Sequence, residues 1–323
     1  MRDRLLEAIE ASDTDELLRI VDALCGRRAW DELADLRIRC REAVTRGKQL
    51  WSIDEHVRYR LALEAPGPIA GAAVAEGPAR FALGPITEVA ASTHGWAELE
   101  PHLPSGPARA LVAHERAIRG EDLTGADFDS RVLELPPALR AWEPRYPLAV
   151  YRSDRGDFPT PPAPGWEPAI LDVEAPAADE HDAGEALARL VEAWTGESNG
   201  HAETAVVEGG ALAAIRRLGP SRALVAEVGA ADALAWMGWA AAAGGAHGRR
   251  RGAAAGRFAA WWAATALAGL PWPVDPDELG EAIADLRWHL WSDLGASGWW
   301  LGLAVEDPVD GLAWALAASD EAT

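Results

Sequence analysis

The sequence predicts a mainly α-helical chain, α+β overall, with helices first and a small sheet last. Three observations carry that expectation. Apolar residues recur at intervals of three and four from Asp3 to about Gly120. Ten prolines then crowd the 41 residues from Pro136 to Pro176. Beyond them, short apolar runs alternate with helical ones and finish in a hairpin signal.

The first region, residues 1–135, reads as amphipathic helices. Leu17, Val21 and Leu24 share one face, as do Leu33, Leu36 and Cys40. Asp13 and Asp15 precede the first apolar turns, Ser52-Ile53-Asp54-Glu55 has capping-box spelling, and Pro78 and Pro107 suit first-turn positions. Short connections favour antiparallel neighbours, hence an antiparallel helical array, either a bundle or a HEAT-like or TPR-like solenoid. No repeated consensus accompanies it.

Residues 136–180 cannot form a long helix because proline removes a donor and restricts the residue before it. Leu148–Tyr151 and Ala169–Val173 are short enough for edge strands. Trp142 and Trp166 would be costly to leave wet, so the segment reads as an ordered crossover. From His181 to the end, residues 181–323 read as a tryptophan-rich α+β domain. It runs helix Ala183–Trp194, strand Thr204–Val207, helix Ala211–Leu218, strand Ala223–Val228, then helices near Ala231–Ala243 and Arg250–Ala268. Asp275 with Pro276 opens a further helix expected to reach about Trp291. Trp299–Val305, the turn Glu306–Gly311 and Leu312–Ala318 spell a β-hairpin.

With 323 residues and 49% hydrophobic content the chain can bury a sizeable core. Charges recur through the first twenty residues, so no signal peptide is expected. The uncharged stretches 233–246 and 258–274 fall short of the roughly 20 residues of a membrane span. Cys25 and Cys40 lack the spacing of a zinc or redox motif and read as buried thiols. A soluble, cytoplasmic protein is therefore expected. A single lysine and a single asparagine beside abundant arginine and alanine suggest GC-rich codons and an actinobacterium-like source. The formal net charge of −21 opposes general binding to nucleic acid or anionic membranes, because phosphate affinity comes chiefly from Lys and Arg.

Several catalytic strings lack their context. Gly196-Glu197-Ser198-Asn199-Gly200 spells the nucleophile elbow, but there a strand must enter and a helix leave, and here a helix enters. His114-Glu115 has Ile118 where a zinc protease needs its second histidine, and the other histidines (56, 94, 102, 181, 201, 247 and 289) show no ligand spacing. No phosphate-binding loop is spelled. Neither a catalytic residue, a metal ligand nor a cofactor is assigned, and the reading leans away from an enzyme.

Two features remain. Twelve of the sixteen tryptophans lie at or beyond position 166, and the pairs Trp236/Trp239 and Trp288/Trp291 have the spacing of one helix face. They fit a core of large aromatics opposite alanines, or an aromatic-lined pocket. The second feature is the glycine-rich turn that runs into Arg249-Arg250-Arg251-Gly252 and on to Arg257, which places four arginines in the first two turns of the expected helix. The helix dipole disfavours cations there, so an anion should compensate. The leading reading is internal pairing with carboxylates. The alternative is a candidate anion site made of Gly248, Arg249, Arg250, Arg251, Gly252 and Arg257.

The spellings Glu197–Glu203, Gly244–Gly252 and Ala304–Pro308 resemble those of uncharacterised actinobacterial proteins with no assigned activity, mainly across the C-terminal half. Arg249-Arg250-Arg251-Gly252-Ala253-Ala254 is also similar to the Q/R-x-x-G-x-G/A loop of the GNAT acyltransferases. That likeness implies backbone amides, set between a strand and a helix, that hold acyl-CoA. Alanine replaces the middle glycine, and the preceding Ala233–Ala243 favours a helix over a strand. The function is therefore read as unknown. The sequence best fits a non-catalytic cytoplasmic binding or scaffold protein that meets another protein through its N-terminal helices. The alternative is a binder of a small anion or ligand, or a transferase-like domain, using Gly244–Arg257.

Overall fold

Helix starts show where local chemistry decides and where packing overrides it. The computed structural model describes residues 2–79, 82–179, 182–294 and 298–321. It divides into two compact units, Met1–Val132 with Ala149–Asp157, and Leu133–Leu148 with Phe158–Thr323. The expected boundary at 180/181, with His181, lies outside the described residues.

The first unit carries α1 (Arg2–Ala11), α2 (Thr14–Gly26), α3 (Trp30–Thr45), α4 (Trp51–Glu64), α5 (Gly67–Ala75), α6 (Ile86–Thr93), α7 (Trp96–Leu99) and α8 (Pro107–Ile118). A two-stranded antiparallel hairpin, β1 (Val150–Tyr151) with β2 (Gly156–Asp157), completes it. The Asp13 carboxylate accepts the Glu16 N–H at 3.0 Å and caps α2, and Pro107 opens α8 as expected. Ser52 is not a cap. α4 begins one residue earlier, at Trp51, and Leu50 before it is fully buried. Burying a leucine is worth about 1.5–3 kcal/mol against about 1 for a cap, so packing sets this start. Pro78 likewise opens no helix; it follows α5, and its carbonyl accepts from Arg58 at 3.3 Å.

Leu17, Val21, Leu33, Leu36 and Cys40 are wholly buried, and Leu24 nearly so, as their spacing requires. α4 packs against α2, α3, α5 and α6, and α6 against α8. Both cysteines are free and buried, and burial pushes the thiols up to about 11 at Cys25 and about 12 at Cys40.

The second unit is built on a six-stranded antiparallel sheet in the order β3-β5-β6-β7-β8-β4. Its elements are β3 (Glu167–Ile170), α9 (Asp182–Arg189), α10 (Glu192–Glu197), β4 (His201–Glu208), α11 (Ala211–Arg217), β5 (Arg222–Val228) and α12 (Ala230–Ala242). There follow α13 (Ala253–Leu267), α14 (Pro276–Asp285), β6 (Arg287–Ser292), β7 (Trp299–Asp307) and β8 (Leu312–Asp320). Trp288, Leu290, Leu301, Leu303, Trp314 and Leu316 face a core shared with α9, α12, α13 and α14. Val225, Trp291, Ala304 and Ala315 face the other, thinner core with α11.

Two expectations change here. The helix expected at Ala183–Trp194 breaks into α9 and α10. The helix opened by Asp275, which accepts from Asp277 N–H and Glu278 N–H, stops at Asp285 instead of reaching Trp291. Arg287–Ser292 is a strand between β5 and β7, so Trp288 and Trp291 point to opposite faces of the sheet rather than sharing a helix face. Helical spacing and buried-strand pairing compete for the same residues, and pairing on both sides decides. α12 and α13 cross closely at Gly256, where a Cβ would stand 2.2 Å from the Gly238 carbonyl oxygen. Among the described residues no helix is long and apolar enough to cross a membrane.

Candidate functional site

The arginine-rich loop is arranged differently from its expected helix start. α12 ends at Ala242, and α13 begins only at Ala253, after Gly252 at φ 98°, a left-handed conformation that favours glycine. Arg249, Arg250 and Arg251 thus precede the helix, and of the four arginines only Arg257 lies within it. Arg250 and Arg257 therefore do not share a helix face.

The loop is fastened to its surroundings by backbone and side-chain bonds. Ala246 N–H donates to Asp320 at 2.5 Å, His247 N–H to the Ser198 hydroxyl at 3.0 Å, and Arg249 N–H to Glu197 at 3.4 Å. Arg251 pairs with Glu192 at 3.2 Å and Glu197 at 3.7 Å. Arg250 stacks over the Phe158 ring, 5.0 Å from its centroid.

Arg257 lies elsewhere, in the interior. Its side chain and that of Glu143 are both 0% exposed and share two hydrogen bonds of 2.7 Å. The guanidinium also donates to the Pro136 and Ala138 carbonyls at 2.9 and 3.1 Å, and lies over the Trp261 ring. Trp261 N–H and Tyr146 O–H complete the shell of Glu143 at 2.9 and 3.0 Å. Burial, with Glu143 beside it, pushes the Tyr146 phenol well above its ordinary value. Gly248, Arg249, Arg251 and Gly252 thus lie along one loop, and Arg257 does not converge with them.

The catalytic strings are placed as follows. Ser198 lies between α10 and β4, so a helix enters and a strand leaves, and its hydroxyl accepts from the loop. His114 is fully buried on α8, and Glu115 pairs with Arg119 at 2.6 Å. The segment before the arginines is a helix, so the strand-loop-helix context of an acyl-CoA loop is missing. Among the described residues no group of three His, Cys, Asp or Glu could hold a metal ion.

The tryptophans form the other feature. Trp236 and Trp239, one turn apart on α12, meet edge to face at 5.5 Å. Trp239 stacks on Trp299 at 5.3 Å with the rings 10° from parallel, and the buried Trp194 supports both. Together with Phe158, Trp166, Trp291 and Trp300 the three outer rings wall a cleft of about 530 Å³, in which Thr160 and Ser292 supply the side-chain hydroxyls. Trp300 is held in place by an N–H bond of 3.1 Å to the Trp291 carbonyl.

A family model described as a family of unknown function, DUF6183, matches residues 15–322. The chain belongs to that family. No curated protein and no solved structure matches it. The α12 half of the cleft is legible in the sequence from the spacing of Trp236 and Trp239. Phe158 and Trp166 are not legible as site residues, because tertiary folding brings them in from the proline-rich stretch; the cost of leaving an indole wet was the one signal that Trp166 packs somewhere. Glu143 carried no signal of its own.

Proposed function

We propose that the protein is a binding protein, and that its second unit takes a small, flat, largely apolar molecule between the indole faces of the tryptophan cleft. The observation that carries this is the cleft itself: about 530 Å³ walled by seven aromatic rings with few polar groups. Ligand sites are typically about 300–1,000 Å³, apolar in lining, with a small number of polar groups that fix orientation. In this reading the helices of the first unit form an array offering a surface to a protein partner, and two buried free thiols fit a reducing, cytoplasmic setting. A net charge of −21 disfavours nucleic acid as the partner.

The test uses N-phenyl-1-naphthylamine, a neutral aromatic probe that brightens in apolar surroundings. We expect one site per chain, with at least tenfold weaker binding in Trp166→Ala and Trp236→Ala, whose side chains are only partly buried. Absence of binding, or equal binding by parent and variants of unchanged circular dichroism, would refute the proposal.

A further inference from the structure

A second cavity lies on another part of the same unit. It is a half-open space of about 520 Å³ between α9, the end of α13 and the β7–β8 turn, and Trp262, Trp272 and Trp314 contribute to its walls. Carboxylates alone would signify little in a chain with 51 acidic residues. What distinguishes this place is that three sources of negative potential meet at one half-open, indole-walled space.

The first source is the indoles of the wall, which attract cations through their π systems; Trp262 and Trp272 line the cavity with their rings 5.3 Å apart at 54°. The second is the C-terminal end of α13. Thr265 to Gly269 line the cavity, the dipole puts partial negative charge there, and the last turn carries no basic residue to offset it. The third is Asp182, Asp307 and Asp310, none of which has an ion-pair partner among the described residues. The one cation in the lining, Arg189, is already matched by Glu185 at 2.6 Å. The acids do not converge as metal ligands do, and the space is far larger than an ion.

We infer that this cavity binds an organic cation, an ammonium or guanidinium group carried on a small apolar body. The charged group lies against the indoles, with the aspartates and the helix end around it, and the apolar body rests on Leu267, Leu270 and Leu312. This site is separate from the tryptophan cleft, and neither depends on the other.

Calorimetric titration at low salt of the full chain carrying Trp166→Ala and Trp236→Ala, which disable the tryptophan cleft as a second binder of flat apolar probes, with benzylammonium against its near-isosteric neutral partner benzyl alcohol, tests it. We expect one benzylammonium per chain and at least tenfold weaker binding of the alcohol. Asp182→Asn with Asp310→Asn should lower benzylammonium affinity at least fivefold, as should Trp262→Leu. The exposed pair Glu7→Gln with Glu42→Gln removes the same charge from the first unit and should leave affinity unchanged. The inference is overturned if the alcohol binds as well as the ammonium, if the Glu7 and Glu42 pair weakens binding as much as the Asp182 and Asp310 pair, or if benzylammonium does not bind at millimolar concentration.

Discussion

The two units satisfy their interiors with different donors. In the first, buried guanidinium groups serve backbone carbonyls: Arg58 donates to those of Ala73, Gly77 and Pro78, and Arg109 to those of Glu100, Leu103 and Asp127. In the second, indole N–H groups do the same work, Trp142 to Pro276, Trp194 to Ala240, Trp288 to Ile283 and Trp291 to Leu316. Only Trp30, Trp51 and Trp96 of the sixteen tryptophans lie before residue 133. An arginine brings several donors but also a charge that needs a carboxylate, as Arg37 has in Asp54 and Glu76. An indole brings one donor and a large apolar body that needs no counterion. Indoles packed this way leave flat apolar faces wherever they reach the surface, and both tryptophan-walled cavities described above belong to the second unit.

The sharpest way to test that contrast is the exception, the buried charge pair of the second unit. Arg257→Leu strands Glu143 without its partner in an apolar interior, and we expect a loss of about 3–5 kcal/mol in urea unfolding followed by near-ultraviolet circular dichroism. A loss below about 1 kcal/mol, the worth of an exposed pair, would mean water reaches Glu143 and the interior is not dry.

A middling effect is expected from Trp288→Phe. It keeps an aromatic ring but leaves the Ile283 carbonyl without its donor, and should cost about 2–3 kcal/mol. A neutral result would mean that the indole N–H is dispensable and the parallel with the arginines fails.

The smallest effect concerns Glu76 in the first unit. Burial raises its carboxyl, but hydrogen bonds and charge from Arg37 and Arg41 outweigh that and hold it at about 2. Its folded value lies below the ordinary 4.5, so its contribution is present above 4.5 and is lost as pH falls toward 2. Because the carboxylate is partly exposed, we expect at most about 1 kcal/mol between parent and Glu76→Gln at pH 7. That difference should shrink toward zero by pH 2.5. A difference that persists unchanged at pH 2.5 would show that the side chain acts through packing.

Local signals explain what the sequence made legible. Asp13, Pro107 and Asp275 mark helix starts because capping and fixed φ act within one turn. The strands around Thr204–Val207 and Ala223–Val228 and the closing hairpin follow from alternation and a turn. Arg287–Ser292 escaped because its tryptophans carry helical spacing, and only pairing with β5 and β7 reveals a strand. The arginine run escaped because arginine is a good helix former, so nothing before Gly252 announced that the helix had not begun. The cleft was half legible, and the partner of Arg257, 114 positions away, was not legible at all.

That separation has a consequence for how the protein is made. Each unit consists of two pieces of chain, so no single cut releases either one whole. A fragment ending at residue 132 lacks Tyr151, whose hydroxyl donates to Glu88 at 2.6 Å. A fragment starting at residue 158 lacks Glu143 and leaves the Arg257 guanidinium without its carboxylate. On the ribosome the first unit has all of its residues once Asp157 has emerged, while Trp142 and Glu143, already outside, wait for Trp261 and Arg257. During that interval the nascent chain exposes an indole and a carboxylate that the finished protein hides, and it is then that it most needs protection from its neighbours.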